Sequence, residues 1–382
     1  MVKKKIAVVM TLALMVTAVA TGCKAKGSSS DVIKIGVVTP LTGSVAAYGK
    51  SAQKGLNLLQ DEVNNGGGIN GKKVQFVYED DEAKAQSAVN AGNKLINDEK
   101  VVAIVGPLTS TSANALAPIA QQNKIPMVTG TATNAKVTQA GDYIFRTCFI
   151  DPFQGKVLAN FATGTDLKAK TAAVLYNNGD AYSKGLADTF VESFKANGGT
   201  IVSTKTYNTN DTDFSAQLTE IKGTNPDVIL LPDYYGTVGM IAKQARQLGI
   251  KSTFLGGDGW DSADLFKIGK EYVEGSYISD HYSSSDTSDE VKTFIDSFKK
   301  KYNNEVPDSM AALNYDAGKV LIQSIQKAGK TDSESIKNAL KAYDGTVVSG
   351  HITFDKNRDA VKAAVVLKVT NGDYQFVKKV NP

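Results

Sequence analysis

The chain is short of the residues that most covalent chemistry requires. Its 382 residues include two histidines, His281 and His351, two cysteines and one tryptophan. Metal centres draw on clustered His, Cys and acidic ligands at fixed spacing. Nucleophilic catalysis needs a hydroxyl or thiol beside a base. Neither pattern is spelled out, so the sequence offers no metal, no cofactor and no catalytic constellation. Nor does any block of Lys or Arg run through the chain, which argues against nucleic acid and against an electrostatic membrane patch. Beyond its first residues it has no apolar run approaching the length of a membrane span.

The exception is the start. Lys3, Lys4 and Lys5 precede an almost uninterrupted apolar stretch from Ile6 to Ala20. A comfortable transmembrane helix needs about 20 apolar residues, so this charged start and short apolar run read as a secretory signal. Ala20-Thr21-Gly22 lead into Cys23, which resembles the lipobox of bacterial lipoproteins. That resemblance implies a signal peptide over 1–22, an acylated Cys23 and a polar tether over 23–30 (Lys24 to Ser30 reads KAKGSSS). Two or more acyl chains would give a stable anchor where one binds only marginally. Ala18-Val19-Ala20 also satisfies the A-x-A rule, so cleavage after Ala20 without acylation is the competing reading. With Cys23 acylated, Cys148 has no partner, and its apolar context (IFRTCFID) suggests a small buried hydrophobe. Losing 1–22 removes three lysines and no acids, which lowers the formal charge from +4 to +1.

About 360 residues then remain, enough for two domains. They alternate between short apolar strands and helices. Strands are expected at Val32–Val38, Lys73–Tyr78, Val101–Val105 and Pro126–Val128, with helices at Ala46–Val63, Ala83–Asn97 and Thr111–Gln122. The pattern restarts with strands at Thr171–Tyr176, Thr200–Tyr207, Val228–Leu231 and Thr253–Leu255. Its helices are expected at Ser183–Asn197, Phe214–Gly223 and Val238–Leu248. This alternation predicts an α/β fold of two doubly wound, parallel-sheet lobes. Ligands gather at the carboxyl ends of such strands. Gly66-Gly67-Gly68 follows a helix instead of opening one, so it reads as a helix stop and not as a phosphate cradle.

Several segments carry a more specific likeness: VVTPLTGSVAAYG (Val37 to Gly49), NNGGGINGKKVQFVYEDDE (Asn64 to Glu82), VGPLTSTSANALAPIA (Val105 to Ala120) and IPMVTGTATNA (Ile125 to Ala135). NNGDAYSKGL, YYGTVGMIAKQARQLG and FLGGDGW continue it from Asn177, Tyr234 and Phe254. Their order and spacing resemble the branched-chain amino acid (Leu/Ile/Val) binding proteins of ABC transporters, which have a type I periplasmic-binding fold. The resemblance covers nearly all of the chain from about Asp31. It implies an N-terminal lobe of 31–150 plus 280–355, a C-terminal lobe of 151–279 plus 356–382, and a hinge that closes them. It also implies an amino acid ligand, ABC permease subunits as partners, and a monomer acting outside the cytoplasm.

A zwitterion needs donors for its carboxylate, an anion for its ammonium and a pocket for its side chain. Ser110 follows a strand and opens a helix, where free N–H groups and the helix dipole favour an anion. On its own a serine there is equally a plain N-cap; matched to the family motif, it is the carboxylate-binding serine. By the same resemblance Thr131 offers its backbone carbonyl to the ammonium and Thr133 donates to the carboxylate. Asp258, in a Gly-rich loop after a strand, matches the acidic residue that pairs with the ammonium. It is one methylene shorter than the glutamate of many members. Tyr182 and Tyr234 match cleft-sealing tyrosines, and Tyr48 matches the aromatic residue that packs on the ligand side chain. Trp260 is left open between the cleft and packing, and Met310 to Tyr315 approach the site by resemblance. The alternatives are another small amino acid, urea or an amide in the same fold, or a small-molecule hydrolase. The hydrolase lacks a histidine near Ser110 in sequence.

Overall fold

The computed structural model describes residues 32–382. The expected signal, Cys23 and the tether lie outside the described residues. Five strands make the first sheet: β1 (Val32–Thr39), β2 (Lys73–Asp80), β3 (Ile104–Val105), β4 (Met127–Thr129) and β5 (Ile144–Arg146). They run parallel in the order β2-β1-β3-β4-β5. Helices α1 (Ala46–Asn65), α2 (Ala85–Asn97) and α3 (Ser110–Gln122) connect them. β1 is apolar on both faces because both are covered: Ile33, Ile35, Val37 and Val38 are all buried. Gly66-Gly67-Gly68 ends α1, with Gly67 and Gly68 at positive φ.

After β5 the chain enters α4 (Asp151–Thr163) and builds a second sheet from β6 (Thr171–Asn177), β7 (Thr200–Tyr207), β8 (Val228–Leu230), β9 (Thr253–Gly256) and β10 (Tyr277–Asp280). Crossovers are α5 (Ala181–Ala196), α6 (Ser215–Thr224), α7 (Tyr235–Gln247) and α8 (Ala263–Gly269). The parallel order β7-β6-β8-β9-β10 repeats that of the first sheet. In each sheet the order reverses beside its first strand, and that is where a crevice opens at the carboxyl ends.

From β10 the chain returns to the first sheet's layer as α9 (Asp289–Lys301), α10 (Ser309–Ala328), α11 (Ser333–Lys341) and the ribbon of β11 (Asp344–Val347) with β12 (Gly350–Thr353). α9 and α10 pack on α1, and Phe294, Phe298, Leu321 and Ile325 join Ile33 and Ile35 in one core. It then crosses back as β13 (Ala364–Thr370) and β14 (Asp373–Val380). Sequence alternation predicts wholly parallel sheets, but β13 is antiparallel to both β10 and β14. For the β13–β14 pair the cause is local: Asn371 and Gly372 both take positive φ, the two-residue turn that forces a hairpin. Within the described residues the chain thus passes between the two layers three times, at 147–150, 281–288 and 355–363.

Candidate functional site

The carboxyl ends of the two sheets face one another across a small recess. Its first wall comes from the turns after β3 and β4 and from the first turn of α1: Leu108, Thr109, Ser110, Thr131 and Tyr48. The second comes from the starts of α5 and α7 and the turn after β9: Tyr182, Tyr234, Asp258 and Gly259. Met310, at the start of α10, closes the side. The space in and around the recess not filled by protein atoms is ≈ 280 Å³, part of it open to solvent.

Ser110 is the first residue of α3, and Thr109 is the cap. The serine does not cap its own helix. Its Oγ accepts the backbone N–H of Asn134 at 3.1 Å, which ties the β3 turn to the β4 turn and leaves the hydroxyl hydrogen for another acceptor. Thr131 donates its hydroxyl to the Leu108 carbonyl at 2.8 Å. Arg146, fully buried and ion-paired to Asp359 at 2.6 Å, donates to the Ala132 carbonyl at 2.8 Å and braces the same loop. Thr133 is buried behind the recess. Its carbonyl accepts the Asp151 N–H at 3.0 Å and its hydroxyl lies beside the Asp151 carboxyl. Burial holds that carboxyl well above the usual carboxylate range.

The tyrosines form an aromatic wall. Tyr182 stacks on Tyr234 with centroids 5.3 Å apart, and Tyr48 meets Tyr234 edge-on at 5.9 Å. Burial raises all three hydroxyls well above their ordinary pKa, so they stay protonated and available as donors. Tyr182 accepts the Gly259 N–H at 3.0 Å, while Tyr48 donates to the Gly259 carbonyl. The second of these bonds joins the two lobes. Between the lobes, Thr111 donates to Asp180, which caps α5.

Asp258 opens a 3₁₀ turn ending at Trp260. Its glycines are dictated by crowding: a Cβ on Gly256 would fall 2.3 Å from the Trp260 ring, and one on Gly257 would fall 2.5 Å from the Tyr182 hydroxyl. Trp260 belongs to the core, with its indole N–H on the Leu231 carbonyl at 2.9 Å. Asp258 is held on both of its carboxylate oxygens. Gln154 donates to its Oδ1 at 3.0 Å, and Nε2 of His281 lies 3.3 Å from its Oδ2. Burial pushes the His281 ring down to about 4, so at neutral pH it is an uncharged donor. Six of the seven residues expected at the site therefore meet in one recess and Thr133 stands behind them. Leu108, Gln154 and His281 were not anticipated. Leu108 stands two residues before Ser110 in the same VGPLTSTS segment, whereas Gln154 and His281 are single side chains without a local motif, supplied by separate segments.

Among the described residues no group of His, Cys, Asp and Glu has a metal-binding arrangement, and no helix is long and apolar enough to cross a membrane. Cys148 is fully buried, its thiol pushed up to about 12. The His281 imidazole is engaged with Asp258 and stacked on Phe149, whereas the Ser110 hydroxyl oxygen is bonded by the Asn134 N–H.

Two like sheets closing on a recess, with a helix N-terminus on one wall and a carboxylate on the other, define a two-lobed binding protein. The chain belongs to the periplasmic binding protein family, whose pattern matches residues 32–373, and this membership makes it an extracytoplasmic protein. It is 35% identical to the Leu/Ile/Val-binding protein BraC3 of Rhizobium johnstonii, over 86% of this chain and 88% of that one. Among solved structures it resembles the leucine binding protein LivK of Thermotoga maritima at 38% identity and TM-score 0.87, covering 92% of this chain and 99% of that chain. It also resembles the branched-chain amino acid binding protein LivJ of Streptococcus pneumoniae, solved with isoleucine. That match has 35% identity and TM-score 0.86, covering 92% and 100% of the two chains.

Proposed function

We propose that this protein captures a branched-chain amino acid outside the cytoplasm and delivers it to the membrane subunits of an ABC importer, performing no covalent chemistry. The observation that carries the reading is the pairing of opposite walls. Ser110 and the α3 N-terminus suit a carboxylate, and Asp258 across the recess suits an ammonium. Tyr182 adds a hydroxyl for the carboxylate, and Thr131 offers its backbone carbonyl to the ammonium. Thr133 acts by fixing the loop that carries Thr131. Tyr48, Leu108 and Met310 present apolar surface to the ligand side chain, while Tyr234 seals the cleft.

The lobes, taken as 31–150 plus 280–355 and 151–279 plus 356–382, close as a monomer around the ligand. Closure changes the face offered to the permease, because a ligand shifts an equilibrium only through its differential affinity for the two states. The lipobox-like Ala20-Thr21-Gly22-Cys23 supports an acyl anchor on Cys23. A thermal-shift panel over the common amino acids tests the assignment. Leucine, isoleucine and valine should raise the melting temperature by mass action. A shift with other ligands and none with these three would overturn the branched-chain reading and leave the fold standing.

A further inference from the structure

Asp258 is held from both sides by neutral groups. Gln154, fully buried on α4, accepts the backbone N–H of Asp258 at 2.8 Å and the Ser279 hydroxyl at 2.8 Å, both at Oε1. Two donors on one end of the amide settle which end is oxygen, so Nε2 must be the group donating to Asp258 Oδ1 at 3.0 Å. On the other side stands His281, fully buried at its side chain and stacked on Phe149 with centroids 3.5 Å apart and planes 23° apart. Its Nδ1 has no hydrogen-bond partner among the described residues, whereas Nε2 faces Asp258 Oδ2. A neutral imidazole in that setting carries its proton on Nε2 and donates it.

Each carboxylate oxygen thus receives one neutral donor, and among the described residues no Lys or Arg pairs with Asp258. Neutral donors fix the plane of the group without cancelling its charge. The negative charge remains for a ligand cation. We infer that Gln154 and His281 are positioning residues for Asp258, and that the three together make the recess select a ligand bearing an ammonium over the same ligand without one. This rests on the reading of the recess as an amino acid site. Phe149 and His281, stacked on each other, also lie on two of the passages between the lobes.

The test compares leucine with its des-amino analogue, 4-methylpentanoate, by calorimetry or competition on the purified full chain. In Gln154→Met and His281→Leu, leucine affinity should fall roughly tenfold or more, the cost of a lost bond to a charged group. The analogue, which makes no use of the Asp258 charge, should change by less than about threefold. His281→Gln keeps a donor and should recover most of the leucine affinity. Equal losses for both ligands would make these residues merely structural, and an unchanged leucine affinity would overturn the inference as directly. Should the variants fail to fold or the analogue bind too weakly, nitrogen NMR of the wild-type imidazoles decides. The inference requires the Nε2–H tautomer at His281, and an Nδ1–H tautomer contradicts it. If the wild type binds no amino acid at all, the underlying reading of the site fails instead.

Discussion

The hydroxyl of Thr111 lies 2.8 Å from the carboxylate of Asp180 and also accepts the N–H of Ala181 at 3.0 Å. One side chain in the first turn of α3 therefore bonds both the cap and the first residue of α5, across the two lobes. Asn134 adds a third link, from Nδ2 to the Ala181 carbonyl at 2.8 Å. These contacts stabilise the closed arrangement without touching the recess.

Thr111→Val keeps the shape and removes both hydroxyl bonds. At about 0.5–1.5 kcal/mol for each bond, the closed state should lose enough population to weaken leucine binding at least roughly fivefold. Because the open protein is unaffected, the loss should appear as faster release in stopped-flow fluorescence, with the ligand-free melting temperature nearly unchanged.

Asp258→Asn retains the size of the side chain and deletes its charge. Leucine affinity should fall well over tenfold, since a buried ammonium loses its partner. An unchanged affinity by titration would remove Asp258 from the ammonium site.

The pH dependence of stability follows from buried carboxyls. Burial, with the Asp180 charge as a second cause, raises Asp233 to about 7, and burial raises Asp81 to about 6. From about pH 4, where such groups ionise in the unfolded chain, up to those values the folded protein keeps protons the unfolded chain has released. Stability must fall as pH rises through that window. His281, lowered to about 4 by burial, acts oppositely. Below its unfolded value of about 6.5 the unfolded chain binds a proton that the folded chain does not, so stability is lost as pH falls toward 4. Asp308, buried and also raised to about 7, acts with them, so the carboxyls outweigh the one imidazole and calorimetric melting temperatures should be higher near pH 5 than near pH 8 by several degrees. Asp233→Asn should flatten that slope, and a wild type more stable at pH 8 would contradict the assignment.

Legibility in the sequence tracked how local each signal was. Apolar strands closed by Gly-rich turns, such as VIKIGVV before α1, announced the first sheet, and a hydroxyl placed between strand and helix announced Ser110. The antiparallel hairpin was written as Asn371-Gly372, yet β14 is largely exposed and lacks a strong apolar run. α10 is buried along most of its length, with fifteen of its twenty residues enclosed, so its polar stripe is narrow. Gln154 on α4 and the Ser279–His281 pair at the end of β10 come from separate segments, and only the folded chain brings them to Asp258. Thr133 belongs to the same TGTAT turn as Thr131, and the fold sets it behind the recess, with its hydroxyl beside the Asp151 carboxyl.

Acylation of Cys23 makes a separable prediction. In the expressing cell, Cys23→Ala should move the protein from the membrane fraction to the soluble extracytoplasmic fraction while leaving amino acid binding intact. An unchanged distribution on fractionation would favour cleavage after Ala20.

The central claim is that the recess between Ser110 and Asp258 binds a branched-chain zwitterion. Isothermal titration of leucine, isoleucine and valine into the ligand-free protein tests it most directly. The account predicts saturable one-to-one binding for at least one of the three, abolished or much weakened in Asp258→Asn. No binding heat with any of them under varied temperature, or binding indifferent to that substitution, would contradict it.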